Sequence, residues 1–160
     1  SSESIAFFKM VQNKLHYAAH GHTAAEVIYE RADASQPFMG LKSFSGDFPV
    51  LKDISIAKNY LNDEELKILN NIVSGYFAEI QAMRHNPMHM EDYVEHLDNV
   101  LKTTGEKVLQ GAGTISHAQA IEKATEEYRK YQVQNLSPVE EEYLESIKNI
   151  HSTVKKNSKN

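Results

Sequence analysis

Residues 62–83 read NDEELKILNNIVSGYFAEIQAM, and this stretch decides the fold class. Asn62 is a good helix cap, and the three acidic residues after it suit the positive end of a helix dipole. Apolar residues then recur at alternating spacings of three and four, the period of an amphipathic helix. The members of this stripe are Leu66, Leu69, Val73, Tyr76, Ile80 and Met83. The stretch predicts one long helix, which Asn86-Pro87 ends.

The same period recurs on both sides of this helix and predicts further helices. They cover about residues 5–21, 23–32, 90–108, 116–131 and 137–150, the fourth helix being disturbed at Gly105. Thr23 and Glu26 have the spacing of a capping box, and Ser116 and Ser137 are good caps. We therefore predict a mainly-α fold, a compact bundle of about six helices.

Residues 34–61 interrupt this pattern. They contain Pro37, Gly40 and Pro49 with apolar residues between them, and Ser45-Gly46-Asp47 could turn a short hairpin. Loops of this length are uncommon in compact domains and are often functional. Two interpretations stay open at this stage: a connector that lies over the helical core, or a lid over a site.

Composition narrows the classes of protein to which the chain can belong. The absence of cysteine excludes disulfides, thiolate metal sites and a cysteine nucleophile, and it fits a reducing cytoplasm. The net charge of −5 argues against a strongly basic nucleic-acid-binding surface. No apolar run is long enough to cross a bilayer. We expect one helical domain over residues 1–160 that is cytoplasmic and has no membrane partner.

Histidines crowd the turn between the first two predicted helices. His16 and His20 are four residues apart and share a helix face, and His22 follows just past the end of that helix. With Glu26 they offer nitrogen and oxygen ligands for zinc, nickel or iron. The spacing is not the metalloprotease signature, since no glutamate follows His16. Surface or capping histidines are the alternative interpretation.

A second hypothesis makes the same turn a catalytic site of His22, Glu26, Arg31 and Asp33. His22 precedes the positive end of the second helix, which would keep its imidazole neutral and able to act as a base. Arg31 and the free amide donors could hold an anion. Alternatively, Glu26 serves the cap and the other side chains form a solvated surface. No phosphate loop, nucleotide-binding glycine pattern or serine nucleophile elbow appears, and we predict no cofactor.

Several unusual strings in the chain are similar to the RhuM family of bacterial virulence-associated proteins, and the resemblance covers about residues 7–130. The strings are NKLHY at 13–17, GHTAAE at 21–26, YERADAS at 29–35, MGL at 39–41, AKNYL at 57–61 and GTISH at 113–117. His16 and His22 belong to the family strings whereas His20 does not. The resemblance therefore favours the site at His22, Glu26, Arg31 and Asp33 over a three-histidine metal site.

The resemblance also implies a place in a longer protein. Family members have an N-terminal half that resembles a DNA-binding or phage-antirepressor module, so this chain would be the C-terminal half. Any association with DNA would then belong to the missing module. The resemblance carries over no activity.

Two functions follow from these observations. The first is an assembly or partner-binding domain, with a homodimer expected in solution. The alternative is a transferase or hydrolase that acts on a nucleotide or nucleic acid. In that case His22 would be the base, Arg31 would hold an anion, and residues 34–61 would be the lid.

Overall fold

The computed structural model describes residues 2–83, 89–103, 107–136 and 138–158. Their α-helices are α1 (Ser2–His20), α2 (Ala24–Arg31), α3 (Asp63–Met83), α4 (Met90–Thr103), α5 (His117–Gln134) and α6 (Pro138–Ser158). The described residues contain no strand. The prediction of a mainly-α fold with about six helices is confirmed. None of the described helices is both long and apolar enough to cross a membrane.

Side-chain caps begin α2, α3 and α5, as the sequence predicts, and the structure shows that all three are reciprocal. At α2 the Thr23 hydroxyl accepts from the amide of Glu26, and the Glu26 carboxylate accepts from the amide of Thr23. Each pair satisfies two amide donors that the first turn of a helix leaves unpaired. The other two pairs are Asn62 with Glu65 and Ser116 with Gln119.

The segment 34–61 belongs to the core. It folds into three short 3₁₀ helices, Pro37–Gly40, Leu51–Ser55 and Ala57–Tyr60. All of its residues are described and none is in a strand, so the hairpin suggested at Ser45-Gly46-Asp47 does not form. The segment instead buries a group of apolar side chains against the helices, which outweighs local turn preference. The group consists of Met39, Leu41, Ile54, Ala57, Tyr60 and Leu61.

The described part of α4 reaches Thr103, and the helix does not extend to Val108 as predicted. Residues 107–116 are not helical, and they cross the turn between α1 and α2. There the carbonyl oxygen of Leu109 accepts from the Lys14 ammonium at 2.9 Å. This tertiary contact explains the difference from the helical pattern. The predicted features at Asn86-Pro87, Gly105 and Ser137 lie outside the described residues.

The helices pack in pairs around one apolar core. α1 lies against α3, and α2 lies against α5. The 3₁₀ helices Pro37–Gly40 and Leu51–Ser55 contact α5, and Ala57–Tyr60 contacts α2. The predicted stripe of α3 faces this core at Leu69 and Tyr76. On α1, however, only the C-terminal half of the stripe is buried. Ile5 and Phe8 are 59% and 68% exposed.

Candidate functional site at the turn between α1 and α2

Gly21 makes the turn between α1 and α2 possible. Its φ of +80° is a left-handed conformation that glycine adopts without steric cost. The Gly21 amide donates to the carbonyl oxygen of Tyr17 at 2.8 Å and so closes the end of α1. His20 and His22 lie on either side of this glycine, and Thr23, two residues after the glycine, caps α2.

Both carboxylate oxygens of Glu26 are used inside the protein. One accepts from the amide of Thr23 at 2.8 Å, and the other accepts from the amide and the hydroxyl of Thr114 at 3.0 and 2.8 Å. Burial opposes ionisation, but the hydrogen bonds from Thr114 and Thr23 outweigh it and lower the pKa of Glu26. Glu26 therefore fastens residues 107–116 to the start of α2.

Gly113 lets this segment approach α2. A Cβ atom at this position would lie 2.7 Å from the Cγ2 atom of Thr23, which is too close for real side chains. Its φ of +83° also favours glycine. The glycine therefore serves the same junction as Glu26.

Arg31 joins α2 to α3. Its guanidinium donates to both oxygens of Glu65 at 2.7 Å and to the carbonyl oxygen of Tyr60 at 3.0 Å. These hydrogen bonds raise the pKa of Arg31 and lower the pKa of Glu65 to about 2. A bidentate ion pair of this kind is among the stronger ionic contacts in proteins. Because Glu65 already neutralises it, Arg31 is a poor candidate for holding a further anion.

Asp33 closes a local turn at the exit of α2. One of its oxygens accepts from the amide and the hydroxyl of Ser35 at 2.9 and 2.7 Å. These hydrogen bonds lower the pKa of Asp33. The geometry is that of an Asx turn, in which the carboxylate organises the backbone that follows it.

The three histidines form a row with different surroundings. His16 is almost fully buried, and its Nδ1 lies 3.0 Å from Nε2 of His20. Burial and the neighbouring imidazole lower the pKa of His16 to about 4, and burial chiefly lowers that of His20 to about 4. Both are therefore neutral at physiological pH. His22 is half-exposed, and its Nδ1 lies 3.7 Å from a carboxylate oxygen of Glu30.

The four residues of the predicted catalytic site contact different parts of the fold. No hydrogen bond within the described ranges joins any two of His22, Glu26, Arg31 and Asp33. Likewise, the described residues contain no group of three or more His, Asp or Glu side chains arranged to hold a metal ion. The catalytic assignment stays a prediction, and the internal contacts give Glu26, Arg31 and Asp33 a structural role.

A polar cavity of about 360 Å³ lies beside Arg31, between α2 and the segment 34–61. Its lining mixes both signs of charge, with Glu30 and Asp33 opposing Lys42 and Arg31. Phe38 and Met39 precede the lining residue Gly40, and their φ values of 52° and 51° are unusual for residues with side chains. The next residue, Gly40, packs on the last turn of α2, since a Cβ there would lie 2.0 Å from the Arg31 carbonyl oxygen.

Two lysines important to this region were missed by sequence reasoning. Lys14 is buried and pairs with Asp98 at 2.9 Å. Lys123 donates to the carbonyl oxygens of Tyr29 and Ala32 at the end of α2. A cation at this end of a helix is favourable, because the last carbonyls lack partners. Lys14 lies within one of the family strings, whereas nothing in the sequence marks Lys123.

The strings that resemble one family meet around α2. In the string at residues 13–17, the side chain of Asn13 accepts a weak hydrogen bond from the amide of Ala24, in the first turn of α2, at 3.4 Å. The amide of Asp33 donates to the carbonyl oxygen of Met39, and Tyr60 accepts from Arg31. Residues 113–114 complete the arrangement through Glu26. Strings far apart in sequence therefore build one structural unit.

Comparison with known families identifies this unit. The model of the family described as "Virulence protein RhuM family" matches residues 1–139. The chain belongs to the RhuM family. The RhuM match ends in the first turn of α6, so nearly all of that helix lies beyond it. No curated protein and no solved structure matched the chain.

Proposed function

We propose that this RhuM-family chain is an assembly or partner-binding domain that follows a DNA-binding-like module in a longer protein. The supporting observation is the contrast between two sets of residues. The candidate catalytic side chains Glu26, Arg31 and Asp33 are occupied by internal contacts. Large apolar side chains such as Phe8 and Ile150 remain exposed on α1 and α6. Exposed apolar surfaces of this kind mark interaction sites in folded proteins.

A groove between α1 and α4 adds to this support. It has a volume of about 500 Å³, and Phe7, Met10 and Val94 give it an apolar lining. Its lining is acidic at Glu3, Glu91 and Glu95, whereas Asp98 is paired with Lys14. An apolar groove between two helices is a common way to receive an amphipathic helix. The acidic lining residues would favour a helix that carries basic residues.

The mass of the chain in solution tests the proposal. Sedimentation velocity from micromolar to near-millimolar concentration should show a mass that rises above that of one chain. The variant His22→Ala is the matched control, because it removes the predicted base while leaving the apolar surfaces intact. We expect its association to equal that of the wild type. A mass of one chain at every concentration would count against the proposal.

A further inference from the structure

Helix α6 presents an apolar seam to solvent along its length. Every side chain described at residues 140–157 is exposed. The seam consists of Tyr143, Ile147, Ile150 and Val154, at spacings of four, three and four. Three of these side chains, Tyr143, Ile150 and Val154, are more than 60% exposed. This is the heptad spacing with which one helix packs against another in a coiled coil.

The charges of α6 are separated along the helix. The N-terminal turns of α6 carry Glu141, Glu142 and Glu145, whereas its last turn carries Lys155 and Lys156. Two copies side by side in the same direction would place like charges together. Two copies in opposite directions would place the acidic end of each beside the basic end of the other, and the helix dipoles would also be opposed.

We propose that α6 pairs with α6 of a second copy of this chain in an antiparallel arrangement. In the register that centres the seam, Tyr143 lies opposite Val154 of the partner subunit, and Ile147 lies opposite Ile150 of the partner subunit. The same surface serves both copies, so the pair closes with two-fold symmetry. The inference rests on the proposed function and names the partner as a second copy.

The size of the seam sets the strength of the pair. A helix of 21 residues is about 30 Å long. Two such helices bury less area than the roughly 1,200–2,000 Å² of stable complexes, so the dimer should dissociate on dilution.

Cysteine cross-linking tests the direction and register of the pair. The natural chain has no cysteine, so each introduced thiol is the one reactive sulfur per copy. Chains carrying Ile147→Cys are mixed with chains carrying Ile150→Cys and oxidised. Antiparallel pairing predicts that mixed disulfides form faster than in either variant alone. Faster linkage of each variant to itself would indicate parallel pairing and overturn the proposal. So would cross-linking no faster than with Glu145→Cys, which lies on the opposite face of α6.

Reversing the charges at the two ends of α6 tests whether these charges set the antiparallel direction of pairing. In this register Glu142 lies opposite Lys155 of the partner subunit. Replacing Glu142 by lysine should weaken association at low salt, and adding Lys155→Glu should restore it. Helix-dipole effects cannot explain this restoration, because both changes are unfavourable to the dipole of a single helix. If the combined variant is weaker than the first, the antiparallel arrangement is wrong.

Sedimentation of Ile150→Asp separates this inference from the proposed function. A carboxylate in the seam should raise the dissociation constant by at least about tenfold. Circular dichroism should show an unchanged fold, since Ile150 is exposed in the single chain. If the variant associates like the wild type, α6 is not the contact, and the groove between α1 and α4 becomes the assembly surface. If the wild type is itself a monomer throughout, both proposals fail.

Discussion

Removing the carboxylate of Glu26 should destabilise the fold by about 4 kcal/mol. Loss of its half of the capping box costs about 1 kcal/mol. The two hydrogen bonds from Thr114 go to a charged acceptor, and losing each costs about 1.5 kcal/mol. The site is buried, so water cannot easily replace the carboxylate in Glu26→Ala. Glu26→Gln keeps the bond from Thr23 but turns a donor toward Thr114, and we expect a loss of about 2 kcal/mol.

Urea unfolding followed by circular dichroism measures this loss. Glu30→Ala is the matched control, because Glu30 lies one turn further along the same helix and is half-exposed. Its weak contact with His22 should be worth less than about 0.5 kcal/mol. The pKa of Glu26 is lowered, so its contribution is present above the ordinary pKa and is lost as the pH falls through the lowered value. Equal stability of Glu26→Ala and Glu30→Ala would refute the structural role.

Three further predictions concern the packing around α2 and the core. Gly40→Ala should lower the free energy of unfolding by more than about 2 kcal/mol, because the new Cβ would meet a backbone oxygen at a residue with positive φ. Gly75→Ala has open space on α3 and should raise the free energy of unfolding by about 0.5–1 kcal/mol. Equal effects of the two substitutions in urea unfolding would contradict this prediction. The folded state lowers the pKa of His16 and His20 from 6.5 to about 4, so stability should fall by at least about 3 kcal/mol as the pH drops across that range. His16→Gln should flatten this slope, and a wild-type curve already flat there would argue against the prediction. Arg31→Lys should lower the free energy of unfolding by about 1–2 kcal/mol in the same assay, because an ammonium cannot make the bidentate hydrogen bond to the Glu65 carboxylate on α3. An unchanged midpoint of unfolding would show that this bond adds little to stability.

Local signals explain what the sequence could predict of the fold. The caps at Thr23, Asn62 and Ser116 depend on residues three apart, and all three form. The stripe of α3 is long and regular, and its side chains at Leu69 and Tyr76 are buried as its period indicates. An apolar stripe on a helix does not show, however, which surface will cover it. The apolar stripes of α1 and α6 are equally regular, yet the stripe of α1 is exposed over half its length and the stripe of α6 is exposed throughout.

Long-range contacts explain what could not be predicted. The sequence allowed that Glu26 might serve the cap, but its second oxygen binds Thr114, 88 residues away. The pair of Arg31 with Glu65 and the cap that Lys123 places on α2 likewise join distant segments. Residue type and spacing made this region resemble a catalytic site because buried charged groups occur in both. Only the fold shows that Glu26, Arg31 and Asp33 are each bound to other parts of the chain, at Thr114, Glu65 and Ser35.

The measurement that tests the central claim most directly is the mass of the wild-type chain in solution as a function of concentration. The account predicts a mass that rises from one chain toward two, with His22→Ala unchanged and Ile150→Asp shifted to higher concentration. A mass of one chain at every concentration would contradict it.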